Sequence, residues 1–155
     1  MKDDSRVSTP LPERSLGELR FPMDVRIPND VRYIEQIVGI VAERCAEQAM
    51  PARMCRLNIP VALTEALANA IMYGNGRNRT GGVRFRATID ERALVLEVTD
   101  EGQGFDLDEC TTDPTIAGNL VREDGRGLFL MRQLVDRVER FQQDGNVVRL
   151  TLHRT

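Results

Sequence analysis

Histidine is nearly missing from this chain. His153, beside the C-terminus, is the only one in 155 residues. A single histidine so placed all but excludes a His-rich metal site or a Ser/His/Asp triad, both of which need imidazoles at their centre. Cysteine is scarce as well. Cys45, Cys55 and Cys110 are odd in number and lack CxxC spacing, which fits small buried side chains in a reduced compartment rather than metal ligands. No apolar run approaches the roughly 20 residues of a membrane span, and the N-terminus has no apolar signal core. Neither sign of charge dominates: the net charge is −3, with acids and bases interspersed. Without a basic block or a basic amphipathic helix, direct binding of nucleic acid or of a membrane surface is not expected. The expectation left standing is a cytoplasmic protein with one domain and one core.

Along the chain, residues 1–17 read as a flexible N-terminal arm, polar and proline-bearing at first, and residues 18–155 as a single domain. Apolar residues at Leu19, Phe21, Met23, Val25 and Ile27 alternate, predicting a half-buried strand. After an N-cap around Asp30, apolar residues from Ile34 to Ala49 recur at helical spacing until Pro51 closes the helix. A short loop around Arg56 to Ile59 is expected before Pro60, which suits the first turn of a second helix. Beyond Gly81-Gly82 the period switches to two, giving strands over Val83–Ile89 and Leu94–Val98. Residues 106–124 have no period, and a loop of that length in a compact domain is usually functional, often a lid. A third helix opens at Gly125-Arg126-Gly127, and a closing hairpin turns at Asp144-Gly145-Asn146. The order β-α-α-β-β-loop-α-β-β predicts an α+β fold, with helices on one face of a mixed, mostly antiparallel sheet.

The second helix carries the first chemically suggestive pair. Glu65 and Asn69 are four residues apart and share a face, about 6 Å from one another along the axis. A carboxylate there can accept a proton, and a carboxamide oxygen can ligate a hard cation such as Mg²⁺. On its own such a pair reads as a solvated face. Two glycine clusters flank the lid: Asp100-x-Gly102-x-Gly104 and Gly125-x-Gly127. Glycines let a backbone approach a ligand closely, and the amides that open a helix favour phosphate. Leu107 and Leu130 stand where a Rossmann fingerprint needs its third glycine, and no GxxxxGK[ST] is present.

Taken in order, Glu65-x-x-x-Asn69-Ala70, Asp100-x-Gly102-x-Gly104 and Gly125-x-Gly127 resemble the N, G1 and G2 boxes of the GHKL ATPase superfamily. The resemblance covers about Leu19 to Leu152. It is strongest to the stand-alone anti-sigma factor serine/threonine kinases, through Gly125-Arg126-Gly127-Leu128-Phe129-Leu130-Met131 and Gly74-Asn75. It implies a two-layer α/β sandwich of the Bergerat type with about three helices and an ATP lid, with ATP and Mg²⁺ as cofactors. In such proteins the residue at Asp100 accepts the adenine amino hydrogen. A carboxylate only accepts and guanine offers an acceptor at that place, so Asp100 should select ATP over GTP. Gly102 and Gly104 would pass under the base and ribose, and Asn69 would hold Mg²⁺. Gly125 and Gly127 would receive the phosphates. Arg126 either neutralises developing charge or is a solvent-exposed arginine, and Asn75 is a further candidate contact to phosphate or Mg²⁺. Glu65 resembles the general base. The family commonly has a histidine where this chain has Tyr73.

The implied activity is that of an anti-sigma factor, typically homodimeric, that phosphorylates a serine or threonine on a small anti-anti-sigma antagonist protein. One alternative is a switch in which ATP orders the lid and sets partner affinity without phosphate transfer. Another is a detached histidine-kinase catalytic domain. Against it, no helix with a phosphoacceptor histidine precedes the domain, and His153 falls in the final strand.

Overall fold

The computed structural model describes residues 16–74, 81–101 and 127–155. Five strands form one sheet: β1 (Met23–Pro28), β2 (Gly82–Ile89), β3 (Ala93–Asp100), β4 (Arg137–Gln142) and β5 (Asn146–His153), in the order β1-β2-β3-β5-β4. Three α-helices accompany it among the described residues: α1 (Arg32–Glu47), α2 (Ile59–Asn69) and α3 over 127–134. Strand alternation sets the layers. Met23, Val25 and Ile27 of β1, Val83, Phe85 and Ala87 of β2, and Leu94, Leu96 and Val98 of β3 are buried together with Ile37, Val41, Leu63, Leu67 and Met131 of the helices. The opposite sheet face carries a ladder of charge in which Glu97 of β3 accepts from Arg86 at 2.6 Å and Arg149 at 2.7 Å. Arg149 also lies 4.7 Å above the Phe141 ring. No described helix is long and apolar enough to cross a membrane.

Three details differ from the expectation. Among the described residues all four strand pairings are antiparallel, where a mixed, mostly antiparallel sheet was expected. Strands β3 and β4, on either side of α3 in sequence, run in the same direction, but β5 inserts between them and pairs with both. The first strand starts at Met23, not Leu19. Buried Arg44, in the last turn of α1, donates to the Leu19 carbonyl at 2.8 Å and the Gly17 carbonyl at 2.7 Å, which takes those groups away from the sheet. Leu16, just before them, is itself buried in the core.

The expected loop at Arg56 to Ile59 is helical. A π-helical stretch (Met54–Asn58) leads directly into α2, with Pro60 in its first turn. Proline lacks an N–H and crowds the carbonyl four residues back, and a wider turn relieves both problems without ending the helix. A second π-helical stretch (Ala70–Gly74) follows α2 and packs against β2 and β3. Cys45 and Cys55 are buried free thiols, as expected for small core side chains.

Candidate nucleotide site

Helix α2 buries Ile59, Ala62, Leu63, Ala66 and Leu67, leaving Glu65 and Asn69 half-buried on its flank. The small side chains of Ala62, Ala66 and Ala70, one turn apart, let neighbouring elements approach closely. Helix α3 lies alongside, antiparallel to α2. Asn58, just before α2, donates its Nδ2 to the Leu134 carbonyl at the far end of α3, at 2.8 Å. The near end of α3 is Gly127, and its backbone sits directly against the other two residues. A Cβ built there would stand 2.7 Å from Glu65 Oε1, 3.2 Å from Asn69 Nδ2 and 3.8 Å from Asn69 Oδ1. A side chain at 127 would push the Glu65 carboxylate, the far end of a flexible side chain, out of its place beside the carboxamide.

Asp100 closes β3 and continues the inward stripe of Leu94, Leu96 and Val98. It is 6% exposed, and its Oδ1 accepts from Asn146 Nδ2 at 3.1 Å. A buried carboxylate is tolerable only with such donors. The next residue, Glu101, is clamped by Arg26, whose Nε and Nη2 reach its two oxygens at 2.6 Å each, and by the Gly82 N–H at 3.2 Å. Hydrogen bonding from Arg26 comes first among the effects that hold the Glu101 carboxyl below the ordinary 4.5, against the upward push of burial. The exit from β3 is therefore anchored immediately after Asp100.

Glu65, Asn69 and Gly127 thus form one cluster, and Asp100 ends a strand on which the turn following Asn69 packs. Asn75, Gly102, Gly104, Gly125 and Arg126 lie outside the described residues. The donor set that is present suits a hard cation: a carboxamide oxygen and a carboxylate, with no sulfur or imidazole. Among the described residues no group of three or more His, Cys, Asp or Glu could cage a metal. A Mg²⁺ held by one side chain, phosphate oxygens and water needs no such cage. Sequence reasoning missed Asn146. It occupies an inward position in line with Val148, Leu150 and Leu152, and a polar residue on an otherwise apolar stripe was the available signal.

Comparison with known proteins points the same way. A family model described as the histidine kinase-like ATPase domain matches residues 27–152. The serine-protein kinase RsbW of Bacillus subtilis (strain 168) is 31% identical over 99 residues, covering 61% of this chain and 62% of that protein. The chain thus spans about three fifths of the length of that relative. RsbW of Bacillus velezensis is 29% identical over 139 residues, 83% of each chain. The anti-sigma F factor of Thermoanaerobacter sp. (strain X514) is 32% identical over 120 residues, 76% of this chain and 83% of that protein.

Proposed function

Because the chain belongs to the histidine kinase-like ATPase family of GHKL type, we propose that it is an ATP-dependent protein serine/threonine kinase and anti-sigma factor. Its substrate is a small anti-anti-sigma antagonist protein, and its second partner is a sigma factor. It works as a homodimer in the cytoplasm, without direct contact to nucleic acid or membrane. The observation that carries the reading is the meeting of Gly127 with Glu65 and Asn69: residues from two separate sequence boxes share one cluster.

In this reading the hydroxyl oxygen of the acceptor residue attacks the γ-phosphorus, the bond to the bridging oxygen breaks, and ADP leaves. Glu65 takes the hydroxyl proton. Asn69 would hold Mg²⁺ through its side-chain oxygen, and the ion would supply positive charge against the phosphates. Gly127, with Gly125 and Arg126 before it, receives the phosphates at the start of α3, where the helix dipole favours negative charge. Asn75 adds a further polar contact there. Asp100 accepts the adenine amino hydrogen, and Gly102 and Gly104 let the chain pass beneath the base.

Transfer of labelled γ-phosphate from ATP with Mg²⁺ to the antagonist-type proteins of the same host tests this, with wild type and Glu65→Gln. The expected result is label on one antagonist, lost with Glu65→Gln while ATP binding persists. Full transfer by Glu65→Gln would remove the base role. Absence of label alongside intact ATP binding would favour the nucleotide-gated switch.

A further inference from the structure

We propose that Asn58 is a positioning residue for phosphate transfer, one that fixes where α3 lies along α2 and so where Gly127 meets Glu65. The inference deepens the reading above and rests on Glu65 being the base. Asn58 stands at the head of α2, where asparagine ordinarily caps its own helix. Here the π-helical stretch runs straight into α2. The backbone at Asn58 is already helical, at φ −62° and ψ −48°, and its side chain makes no cap hydrogen bond. The amide turns to the other helix instead. Its Nδ2 donates to the Leu134 carbonyl at 2.8 Å, across 76 positions of sequence. Leu134 closes α3, and the last carbonyls of a helix have no partner within it.

Stability does not call for an amide at that place. Asn58 Oδ1 is buried and meets no donor among the described residues. A buried carbonyl left unpaired costs about as much as one hydrogen bond contributes, or more. An apolar side chain of similar size would therefore hold the fold as well. What the amide adds is direction. Leu128, Met131 and Leu134 pack α3 against the core, but apolar burial favours contact without naming a single lengthwise position.

The spacing ties this contact to the cluster. Asn58 to Glu65 is seven positions along α2, and Gly127 to Leu134 is seven along α3. At 1.5 Å per residue each span is about 10.5 Å, and the helices run antiparallel, so one contact sets the other. Asn58 holds Leu134 at one end. At the other, a Cβ on Gly127 would stand 2.7 Å from Glu65 Oε1. A slip of α3 by one residue would move Gly127 by about 1.5 Å. A misplacement near 1 Å can cost about a hundredfold in rate. Asn58 acts through α3 and needs no contact with nucleotide or acceptor.

Asn58→Leu in the full chain tests this by transfer rate, thermal unfolding and the amide spectrum of isotope-labelled protein. Transfer is followed in a single turnover, from ATP labelled at the γ-phosphate, with Mg²⁺, to the antagonist-type proteins of the same host. It should slow by roughly tenfold while the melting temperature is unchanged or raised. The Gly127 amide signal should move although it lies about two helical turns from the substitution, which a local packing role would not produce. Asn58→Asp keeps the shape, sets a carboxylate against the Leu134 carbonyl, and suits the start of α2. It carries the test if Asn58→Leu does not fold, and should slow transfer at least as much. Combined with Glu65→Gln, neither variant should slow the residual transfer further, because both act through Glu65. Transfer within about twofold of wild type in both variants would overturn the proposal. So would an unmoved Gly127 signal, or a slowing matched by lost stability, failure of both variants to fold included. Full transfer by Glu65→Gln, or no label on any acceptor with wild type, would instead sink the underlying reading, and the proposal with it.

Discussion

Replacing Gly127 by alanine separates the chemistry of this site from its stability. The added Cβ would lie 2.7 Å from Glu65 Oε1, where non-bonded heavy atoms settle at about 3.5 Å or more. The carboxylate is the far end of a flexible side chain, so it yields, retreating by roughly 0.8 Å. A misplacement near 1 Å can cost about a hundredfold in rate. Phosphate transfer should therefore slow by between about tenfold and a hundredfold, about 1.4 to 2.7 kcal/mol in barrier. The fold should not suffer. Gly145, not Gly127, is the glycine with positive φ among the described residues, so alanine meets no backbone strain at 127. Its helix propensity offsets any local crowding by up to about 1 kcal/mol. Single-turnover transfer, ATP titration and thermal unfolding measure the three quantities side by side. In the double variant with Glu65→Gln, Gly127→Ala should add no further slowing, because both act through one group. A wild-type transfer rate in Gly127→Ala would show that the position of Glu65 does not set the rate. So would a loss of stability that accounts for the lost activity.

Gly39 sits on the exposed side of α1, and a Cβ there would meet nothing within 4 Å. Gly39→Ala should raise stability by about 0.5 to 1 kcal/mol in thermal or denaturant unfolding, and a decrease would contradict that account. At Glu97 burial pushes the carboxyl pKa up, but hydrogen bonds from Arg86 and Arg149 outweigh it and leave it below the ordinary 4.5. A depressed folded value means that the unfolded chain binds the proton more readily. The stabilisation is then present above about pH 4.5 and is lost as pH falls through the folded value. Unfolding free energy should decline on acidification over that range, less steeply in Glu97→Gln, and identical acid limbs would disprove the contribution. Burial drives the Cys45 thiol up to about 12. Alkylation at pH 8, mapped by mass spectrometry, should spare Cys45 until the chain unfolds, and labelling at the unfolded rate would show the site to be open.

The periodicities of 3.6 and 2 were enough to read the element order, because each helix and strand has one wet and one dry side and its sequence repeats accordingly. Ile37, Val41 and Cys45 on α1, or Leu94, Leu96 and Val98 on β3, declare their faces without reference to anything distant. The boundaries were less legible. Arg44 draws the Leu19 segment away from the sheet, and a π turn carries the helix through Pro60; both are settled by neighbours that local pattern cannot see. The pairing of β5 between β3 and β4 is likewise a matter of which strands the packed helix brings together. Of the site, spacing along the chain was enough to name the residue types that could carry the chemistry, since box spacing is a local property. Tertiary structure alone decided that Gly127 presses on Glu65 and Asn69, and that Asn146 faces Asp100. Those contacts join positions far apart in the chain, and only the docking of α3 along α2 and the register of β5 against β3 bring them within reach of one another.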